Sequence, residues 1–255
     1  MTGDTLRRRA DDALRDTYRW RTTVISSRTA PVIVFDVNET LLDITVLEPL
    51  FARLFSDASV MREWFAQLIL YSEAICLSGR YVPFGQIAAG VLKMVGQTRG
   101  VSVGSADLDE LRATLANMPA HPDAAPALGT LKTAGFRLVT LTNSPPADSP
   151  TPLERAGLAD FLDASYSVDT VRRYKPAPET YRMVAEAEGA ETADLCMVAC
   201  HVWDTIGAQA AGCLSALVTR PGNAVLEVGE IPVPDIVGPD LKVVAHEIVN
   251  RWSVL

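Results

Sequence analysis

The chain has 255 residues, of which 48% are hydrophobic and 21% are charged, and its formal net charge at pH 7 is -8. These values are typical of a packed globular protein, and the length allows one large α/β domain or a core with a smaller inserted domain. The negative charge disfavours nucleic acid or an anionic membrane surface as a partner, because both bind through clustered Lys and Arg side chains.

The first 29 residues contain several arginines and aspartates but no apolar stretch behind them, so they do not match a secretory signal. We expect residues 1–29 to form an N-terminal extension with helical composition. The four cysteines form neither a CxxC pair nor a zinc pattern with histidine, and no apolar run reaches the roughly 18 residues that a membrane span needs. A cytoplasmic protein with free thiols is therefore expected.

The first element after this extension is the apolar and β-branched run APVIVFDV, which is typical of a strand buried on both faces. Residues 46–117 then show helical periodicity without a convincing strand. From residue 118 onward strands and helices alternate: strands are predicted at FRLVTLTN, DASYSV, LCMVAC, LSALVT and PDIVG, and helices at PTPLERAGLADF, APETYRMVAEAEG, DTIGAQAAG and LKVVAHEIVNRW. This alternation predicts an α/β fold with a parallel sheet, and residues 46–117 are interpreted as an inserted helical cap.

Polar side chains follow several of these strands, at the sheet edge where open α/β sheets bind ligands. Singly they mean little, because an aspartate at a strand end usually caps a helix or forms a turn and a lone lysine is usually solvated. Their order along the chain is informative: strand–DxxxT, strand–(S/T)N, Lys-Pro and strand–xxxxxD. The residues concerned are Asp36, Asn38, Thr40, Thr142, Asn143, Ser144, Lys175, His201 and Asp204.

This ordered set resembles the motifs of the haloacid dehalogenase superfamily over nearly all of residues 30–250, and within it those of the (S)-2-haloacid dehalogenase branch. The strings that carry the resemblance are FDVNETLLD, GRYVPFGQ, LTNSPP, RYKPAPETY, HVWDTIGA and TRPGN. The resemblance implies a Rossmann-like parallel-sheet core formed by residues 30–45 and 118–255, with an α-helical cap domain inserted at residues 46–117.

The resemblance also implies roles for the matching positions. The implied catalytic residues are the nucleophile Asp36, Thr40 that orients it, Lys175 beside it, and Asp204 that pairs with the lysine. Residues implied in substrate binding are Val37, Asn38, Phe65, Thr142, Asn143, Tyr181, His201 and Trp203. The family match implies a small anionic carboxylic acid as substrate and neither a metal nor another cofactor. A homodimer is also possible, because apolar helical faces in cap domains and N-terminal extensions often pair.

The chemistry of these residues is consistent with an ester intermediate. A carboxylate nucleophile has to stay ionised in a partly dry pocket, and an ammonium group such as that of Lys175 favours the charged form. Attack of Asp36 on an sp3 carbon would form an ester, and water would hydrolyse it with help from Asp204. The expected reaction is the metal-independent hydrolysis of (S)-2-haloalkanoic acids to 2-hydroxy acids.

Three positions depart from the dehalogenase pattern. Phe65 stands where a cap arginine stabilises the departing halide, Asn38 stands where a tyrosine is common, and His201 replaces an asparagine. Arg62 lies one helical turn before Phe65 and could supply the missing cation, as could His201. These departures leave open another small substrate, either a strained ring such as an azetidine carboxylate or a phosphate ester.

A phosphatase is the weaker of the enzyme hypotheses. Asn38 is no proton donor, and Ala199 and Cys200 stand where an acidic pair would hold Mg2+. Mg2+ is expected only if that alternative holds. A catalytically silent binding protein is a third hypothesis, which the joint presence of Asp36, Thr40, Lys175 and Asp204 disfavours.

Overall fold

The structure, a computed structural model, describes residues 30–253. The N-terminal extension that we expect to be helical over residues 1–29 lies outside the described residues. Within the described part of the chain, no helix is long and apolar enough to cross a membrane.

Six parallel strands form one sheet in the order β3-β2-β1-β4-β5-β6. Their bounds are β1 (Val32–Phe35), β2 (Leu138–Thr142), β3 (Ala164–Ser167), β4 (Leu195–Ala199), β5 (Leu214–Val218) and β6 (Ile236–Gly238). Strand β1 lies in the middle, where Val34 pairs with Val139 on one side and Met197 on the other. The predicted α/β fold with a parallel sheet is confirmed.

The central strands β1, β2, β4 and β5 are buried almost throughout. Their continuous apolar runs suit a parallel sheet, because helices cover both of its faces. The order of the strands reverses at β1, with β2 and β3 added on one side and β4 to β6 on the other. A crevice forms at such a reversal, beyond the carboxyl ends of the strands, and ligands bind there in open α/β sheets.

Five helices separate β1 from β2 in the chain, and the first four of them pack together as a group. These four are α1 (Glu48–Phe55), α2 (Val60–Leu77), α3 (Phe84–Thr98) and α4 (Ser105–Ala116), preceded by the 3-10 turn Ile44–Leu47. The fully buried Trp64 joins three of them: its Nε1 donates to Ala88 O of α3 at 3.0 Å, and its ring lies 5.4 Å from that of Phe51 in α1. The Trp64 side chain therefore stabilises the packing of α1, α2 and α3 against one another.

The segment that leaves the sheet after β1 and the segment that returns before β2 lie side by side. Asp43 N donates to Pro119 O at 2.8 Å, and His121 N donates to Leu41 O at 2.9 Å. These bonds lie close to the proposed cap boundaries at residues 45 and 118. They support the division into core and cap, which stays a prediction.

The remaining helices cover the sheet. They are α5 (Ala124–Thr133), α6 (Pro152–Arg155), α7 (Pro178–Glu188), α8 (Val202–Ala210) and α9 (Leu241–Trp252). One of them is shorter than predicted: the single helix expected over PTPLERAGLADF ends at Arg155, and a separate 3-10 turn follows at Ala159–Phe161. Gly157 lies between them with φ 71°, a left-handed conformation that ends a helix and that glycine adopts without steric cost.

Candidate active site

Asp36 directly follows β1 and is buried at the crevice, with 5% of its surface exposed. Its backbone N–H donates to Val198 O of β4 at 3.0 Å, which fixes the residue between the two strands that flank the reversal. The Thr40 hydroxyl donates to Asp36 Oδ2 at 2.7 Å and itself accepts from Cys200 N at 2.9 Å. Thr40 is therefore held on both sides, and it orients the carboxylate of Asp36.

Lys175 is fully buried, and its ammonium group joins the strand ends. Nζ donates to Asp36 Oδ1 at 2.8 Å, to Asp204 Oδ2 at 2.7 Å and to Leu141 O at 2.9 Å, so all three donors are used. Burial by itself would lower the pKa of Lys175, but the charges of Asp204 and Asp36 raise it above its usual value. The lysine is a permanent cation at this site.

The pKa of Asp36 lies below its ordinary value of 3.8. Burial by itself would raise it, but the Lys175 charge and a hydrogen bond with His201 outweigh that effect. The Asp36 side chain is therefore an ionised carboxylate across the neutral pH range. Its Oδ1 accepts one hydrogen bond, from Lys175, and so keeps a free lone pair.

Asp204 lies in the first turn of α8 and is fully buried. Its Oδ1 accepts a hydrogen bond from the Tyr181 hydroxyl at 2.7 Å, and its Oδ2 accepts from Lys175. Burial raises the pKa of Asp204 against the lowering effect of the Lys175 charge. Tyr181 thus lies behind Asp204, where it positions the carboxylate, and it does not line the cavities described below.

His201, the N-cap residue of α8, contacts two carboxylates. Its Nδ1 lies 3.2 Å from Asp36 Oδ2 and its Nε2 lies 2.9 Å from Glu39 Oε2. The imidazole is stacked between Phe65, with ring centroids 5.3 Å apart, and Trp203, with centroids 5.0 Å apart. These contacts fix the ring in one plane with both nitrogens occupied.

His201 carries a positive charge because of these neighbours. Burial would lower its pKa, but contact with Cys200 and the hydrogen bonds to Asp36 and Glu39 raise it well above the ordinary value of 6.5. Burial raises the pKa of the Cys200 thiol, which stays neutral, so the two carboxylates are the groups that favour the imidazolium. Asp36 therefore has a cation on each side, Lys175 at Oδ1 and His201 at Oδ2.

Glu39 is a functional residue that the sequence analysis missed. It is 2% exposed, and its backbone has φ 67°, an uncommon conformation for a residue other than glycine. Besides His201, its carboxylate accepts hydrogen bonds from Arg62 and from Asn223 Nδ2, the latter at 3.1 Å. The sequence does not reveal this role, because a glutamate between Asn38 and Thr40 looks like an ordinary solvated residue. Its left-handed backbone conformation is visible only in the structure.

The structure corrects the hypothesis that Arg62 supplies a cation to the substrate. The Arg62 guanidinium is bound to Glu39 and to Pro221 O, the latter at 3.2 Å, and it lines neither cavity near Asp36. Spacing of one turn from Phe65 was a weak criterion, because a residue three positions earlier is rotated away from the same line and meets another partner. Arg62 supports the carboxylate that holds His201.

A second missed pair lies beneath the Asp36 loop. Arg220 is 8% exposed and contacts Asp123 through two parallel hydrogen bonds of 2.8 and 2.9 Å. Its Nη2 also donates to Thr40 O at 2.8 Å. The string TRPGN forms a turn, with Gly222 at φ 90°, and its arginine and asparagine also support the Asp36 loop.

Asn143 has one satisfied and one free end. Its Oδ1 accepts from Lys175 N at 3.0 Å, which fixes the orientation of the amide, and its Nδ2 is buried without a hydrogen-bond partner. A buried donor left unpaired is destabilising, so its retention beside Asp36 is consistent with an acceptor on a ligand. The neighbouring Thr142 hydroxyl accepts from Ser144 N at 3.1 Å, and Asn38 Nδ2 lies 3.5 Å from Ser144 Oγ.

Two adjoining cavities lie at this cluster. A small chamber at Asp36 is lined by Asn38, Phe65, Ile69, Phe84, Thr142, Asn143, His201 and Trp203. A larger cavity of about 550 Å³ shares four of these residues, namely Asn38, Phe65, Phe84 and Thr142, and also includes Val37. The structure thus brings Asp36, Thr40, Lys175 and Asp204 into one hydrogen-bonded cluster, and seven of the eight residues implied in substrate binding line the adjoining space.

The described residues contain one group suited in spacing to a metal ion, Asp36, Cys200 and His201, whose ligand atoms lie within 4.8 Å of one another. Its chemistry does not fit. Both His201 nitrogens are engaged by carboxylates, and the Cys200 thiol is neutral. Mg2+ requires a shell of oxygens, whereas the carboxylates of Asp36 and Asp204 are already joined by the Lys175 ammonium, and Glu39 is bound to His201.

Known proteins resemble this chain in both sequence and structure. A family model described as haloacid dehalogenase-like hydrolase matches residues 30–212. The (S)-2-haloacid dehalogenase 1 of Pseudomonas sp. (strain CBS-3) is 29% identical over 189 residues, which cover 73% of this chain and 83% of that protein.

Two solved structures show the same architecture. The L-2-haloacid dehalogenase of Xanthobacter autotrophicus with chloropropionic acid covalently bound has a TM-score of 0.78 and 25% identity, covering 88% of this chain and 100% of that one. The L-2-haloacid dehalogenase RSc1362 has a TM-score of 0.81 and 26% identity, covering 87% of this chain and 99% of that one. Because the family model spans well over half of its length, the chain belongs to the haloacid dehalogenase-like hydrolase family.

Proposed function

We propose that this hydrolase converts (S)-2-haloalkanoic acids to 2-hydroxy acids without a metal ion, through an ester formed on Asp36. The observation that carries the proposal is the state of the Asp36 carboxylate. It is ionised, bound by Lys175 at Oδ1 and by Thr40 and His201 at Oδ2, and placed at the floor of a chamber. The similarity to (S)-2-haloacid and L-2-haloacid dehalogenases supports the substrate class.

In the first step Asp36 Oδ1 attacks C2 of the acid with its free lone pair. The bond from oxygen to C2 forms while the carbon–halogen bond breaks, and the halide leaves with the bonding electrons. Asn143 Nδ2 donates a hydrogen bond to the bound acid or to the departing halide. The positive charge of His201 stabilises the developing anion, in place of the arginine that Phe65 excludes.

In the second step water attacks the Asp36 carbonyl carbon of the ester. Esterification removes the charge of Asp36 and leaves Asp204 as the one carboxylate on Lys175 Nζ. Asp204 then accepts the proton of the attacking water, while Thr40 and His201 hold the ester carbonyl oxygen, which is Asp36 Oδ2. The hydroxyl oxygen of the product comes from Asp36, and the carboxylate regains its second oxygen from water.

This sequence of steps predicts where oxygen from the solvent goes. In a single turnover in H2(18)O, with enzyme in excess over (S)-2-bromopropionate, the first lactate formed carries ordinary oxygen in its hydroxyl group. Asp36 gains one heavy oxygen, which peptide mass spectrometry detects. The product configuration is (R), because attack at C2 inverts that carbon once and hydrolysis does not touch it.

The Asp36→Asn variant is the matched control, since it keeps the shape of the side chain but lacks a carboxylate. It should release no halide and gain no heavy oxygen at position 36. Heavy oxygen in the hydroxyl group of first-turnover product would mean that water attacks C2 directly. That result would rule out the ester and the nucleophilic role of Asp36.

The protonated imidazole of His201 beside Asp36 favours a second candidate function, the ring opening of an azetidine carboxylate. There Asp36 would attack a ring carbon, the carbon–nitrogen bond would break, and the amine nitrogen would keep the electron pair and need a proton, which the protonated His201 could provide. The same enzyme preparation assayed for halide release and for ring opening separates the two. A higher kcat/KM for ring opening would replace the haloacid as substrate.

A further inference from the structure

The reacting groups line the small chamber at Asp36, and the larger cavity beside it has no role in the two reaction steps. We infer that the substrate carries a long apolar substituent on the carbon that Asp36 attacks, and that this cavity holds the substituent. This inference rests on the proposed function and specifies its substrate class: a 2-haloalkanoic acid with a side chain of several carbons rather than a three-carbon acid.

The two cavities adjoin each other, because four residues line both. Asn38, Phe65, Phe84 and Thr142 line the small chamber at Asp36 and also the larger cavity. The reacting carbon has to lie in the chamber, within reach of Asp36 Oδ1. A substituent on that carbon leaves the chamber past the same four residues and enters the larger space.

The chemistry of the two ends differs. The chamber contains the charged groups and the unpaired Asn143 Nδ2, which suit a carboxylate and a halogen. The larger cavity is walled mainly by apolar side chains of the cap helices and of the segment after β2. These include Leu68 in α2, Ala88 in α3, Leu115 in α4, Met118, Pro145 and Leu153.

The charge on the cavity wall also favours an apolar occupant. Arg112 is the one Lys or Arg side chain among the lining residues that the structure describes, and it is exposed. Its Nη1 is paired with Asp109 at 2.7 Å. The lining therefore offers no unpaired charge that would bind an ionic group at the far end of the ligand.

The size of the cavity excludes a good fit for a short acid. Its volume is about 550 Å³, within the range of about 300–1,000 Å³ in which proteins hold ligands of drug size. At about 30 Å³ per water molecule, that is space for roughly 18 waters. A three-carbon acid would occupy only a small part of this volume and leave most of the apolar wall in contact with water, whereas each added methylene would displace water from that wall.

The test measures kcat/KM for bromide release from 2-bromopropionate, 2-bromobutanoate, 2-bromohexanoate and 2-bromooctanoate with the full chain. Each methylene buried in the cavity should raise kcat/KM about fourfold. We expect an increase of at least about tenfold from 2-bromopropionate to 2-bromohexanoate. An Ala116→Phe variant narrows the cavity, because Ala116 is a small lining residue at the end of α4. It should lower the hexanoate-to-propionate ratio of kcat/KM at least about tenfold.

Ala113→Phe is the matched control, since Ala113 is exposed on the same helix and does not line the cavity. It should keep the wild-type ratio, and thermal unfolding of both variants checks that they fold. A wild-type kcat/KM that falls as the chain lengthens, or an unchanged ratio in Ala116→Phe, overturns the inference alone. Absence of bromide release from every acid overturns the proposed function and this inference with it.

Discussion

A buried imidazolium is unfavourable unless carboxylates face it, and His201 has one at each ring nitrogen. Glu39 is the less obvious of the two, because it belongs to the loop of the nucleophile but points to the side opposite Asp36. Its own charge is balanced by Arg62, so the chain of charged groups runs from Asp36 through His201 and Glu39 to Arg62. A change at Glu39 should therefore act on Asp36 through His201.

At this scale we predict that Glu39→Gln weakens the hold on the His201 proton. Removing a carboxylate at hydrogen-bond distance should lower the pKa of His201. The alkaline limb of the kcat/KM profile should move to lower pH by a similar amount, as measured between pH 5 and 10.

Glu48→Gln is a suitable control, because Glu48 is an exposed acid at the start of α1. Its profile should match that of the wild type. An unshifted alkaline limb in Glu39→Gln would show that Glu39 does not control the charge state at His201, and would leave it a structural role only.

At the scale of elements, helix α8 determines how Lys175 and Asp204 meet. It starts directly after β4 and carries Asp204 in its first turn. Further along the same helix, Gly207 packs against Pro176, the residue after Lys175. A Cβ atom added to Gly207 would lie 2.3 Å from Pro176 Cβ and 2.7 Å from Pro176 O. Only glycine allows the helix to approach the loop of Lys175 so closely, and that approach holds the Lys175–Asp204 ion pair together.

Gly207→Ala should therefore force the helix away from the lysine loop. We expect the free energy of unfolding to fall by about 1–3 kcal/mol, as for other overpacked sites. Halide release should slow as well, because Asp204 moves relative to Lys175. Urea unfolding and steady-state kinetics measure the two effects.

Gly90→Ala provides the comparison within a helix, since a Cβ atom there would meet nothing within 4 Å. It should stabilise the protein by about 0.5–1 kcal/mol, because alanine is the better helix former. Equal stability of Gly207→Ala and the wild type would show that the contact with Pro176 yields easily and does not set the geometry of the ion pair.

For the whole molecule, the buried charges make folding depend on pH. The formal charge of -8 counts every Lys, Arg, Asp and Glu of the chain, whereas the buried cluster sets the cations Lys175 and His201 against Asp36, Glu39 and Asp204. A group whose pKa is raised on folding, such as His201, contributes stability that is complete below its unfolded pKa of 6.5 and declines as pH rises toward its folded pKa. Asp36, whose pKa is lowered, contributes above 3.8 and loses this contribution in acid.

The free energy of unfolding should therefore decrease from pH 6.5 upward, and His201→Gln should lack this decrease. Denaturant titrations at several pH values between 5 and 9 measure the difference between the two proteins. His246→Gln, at an exposed histidine, should follow the wild-type curve. Parallel curves for wild type and His201→Gln would mean that the buried imidazole is neutral.

The sequence determined the fold class, the family and four of the residues that the structure joins at the strand ends. Local information was sufficient because a parallel sheet requires continuous apolar runs, and such a sheet brings the residues after its strands to one edge. Asp36, Thr40, Lys175 and Asp204 meet for this reason, although up to 168 positions separate them in the chain. Their catalytic roles, the cap boundaries, the cytoplasmic location and a homodimer stay predictions.

Only the tertiary structure decided which charged side chains surround this cluster. Arg62, Glu39 and Arg220 have nothing in their local pattern to separate them from solvated residues, and spacing along a helix placed Arg62 wrongly beside the substrate. Their partners, Glu39, His201 and Asp123, come from distant parts of the chain. The energy of a charge depends on its burial and on the groups within a few ångströms, and neither quantity is a property of sequence distance.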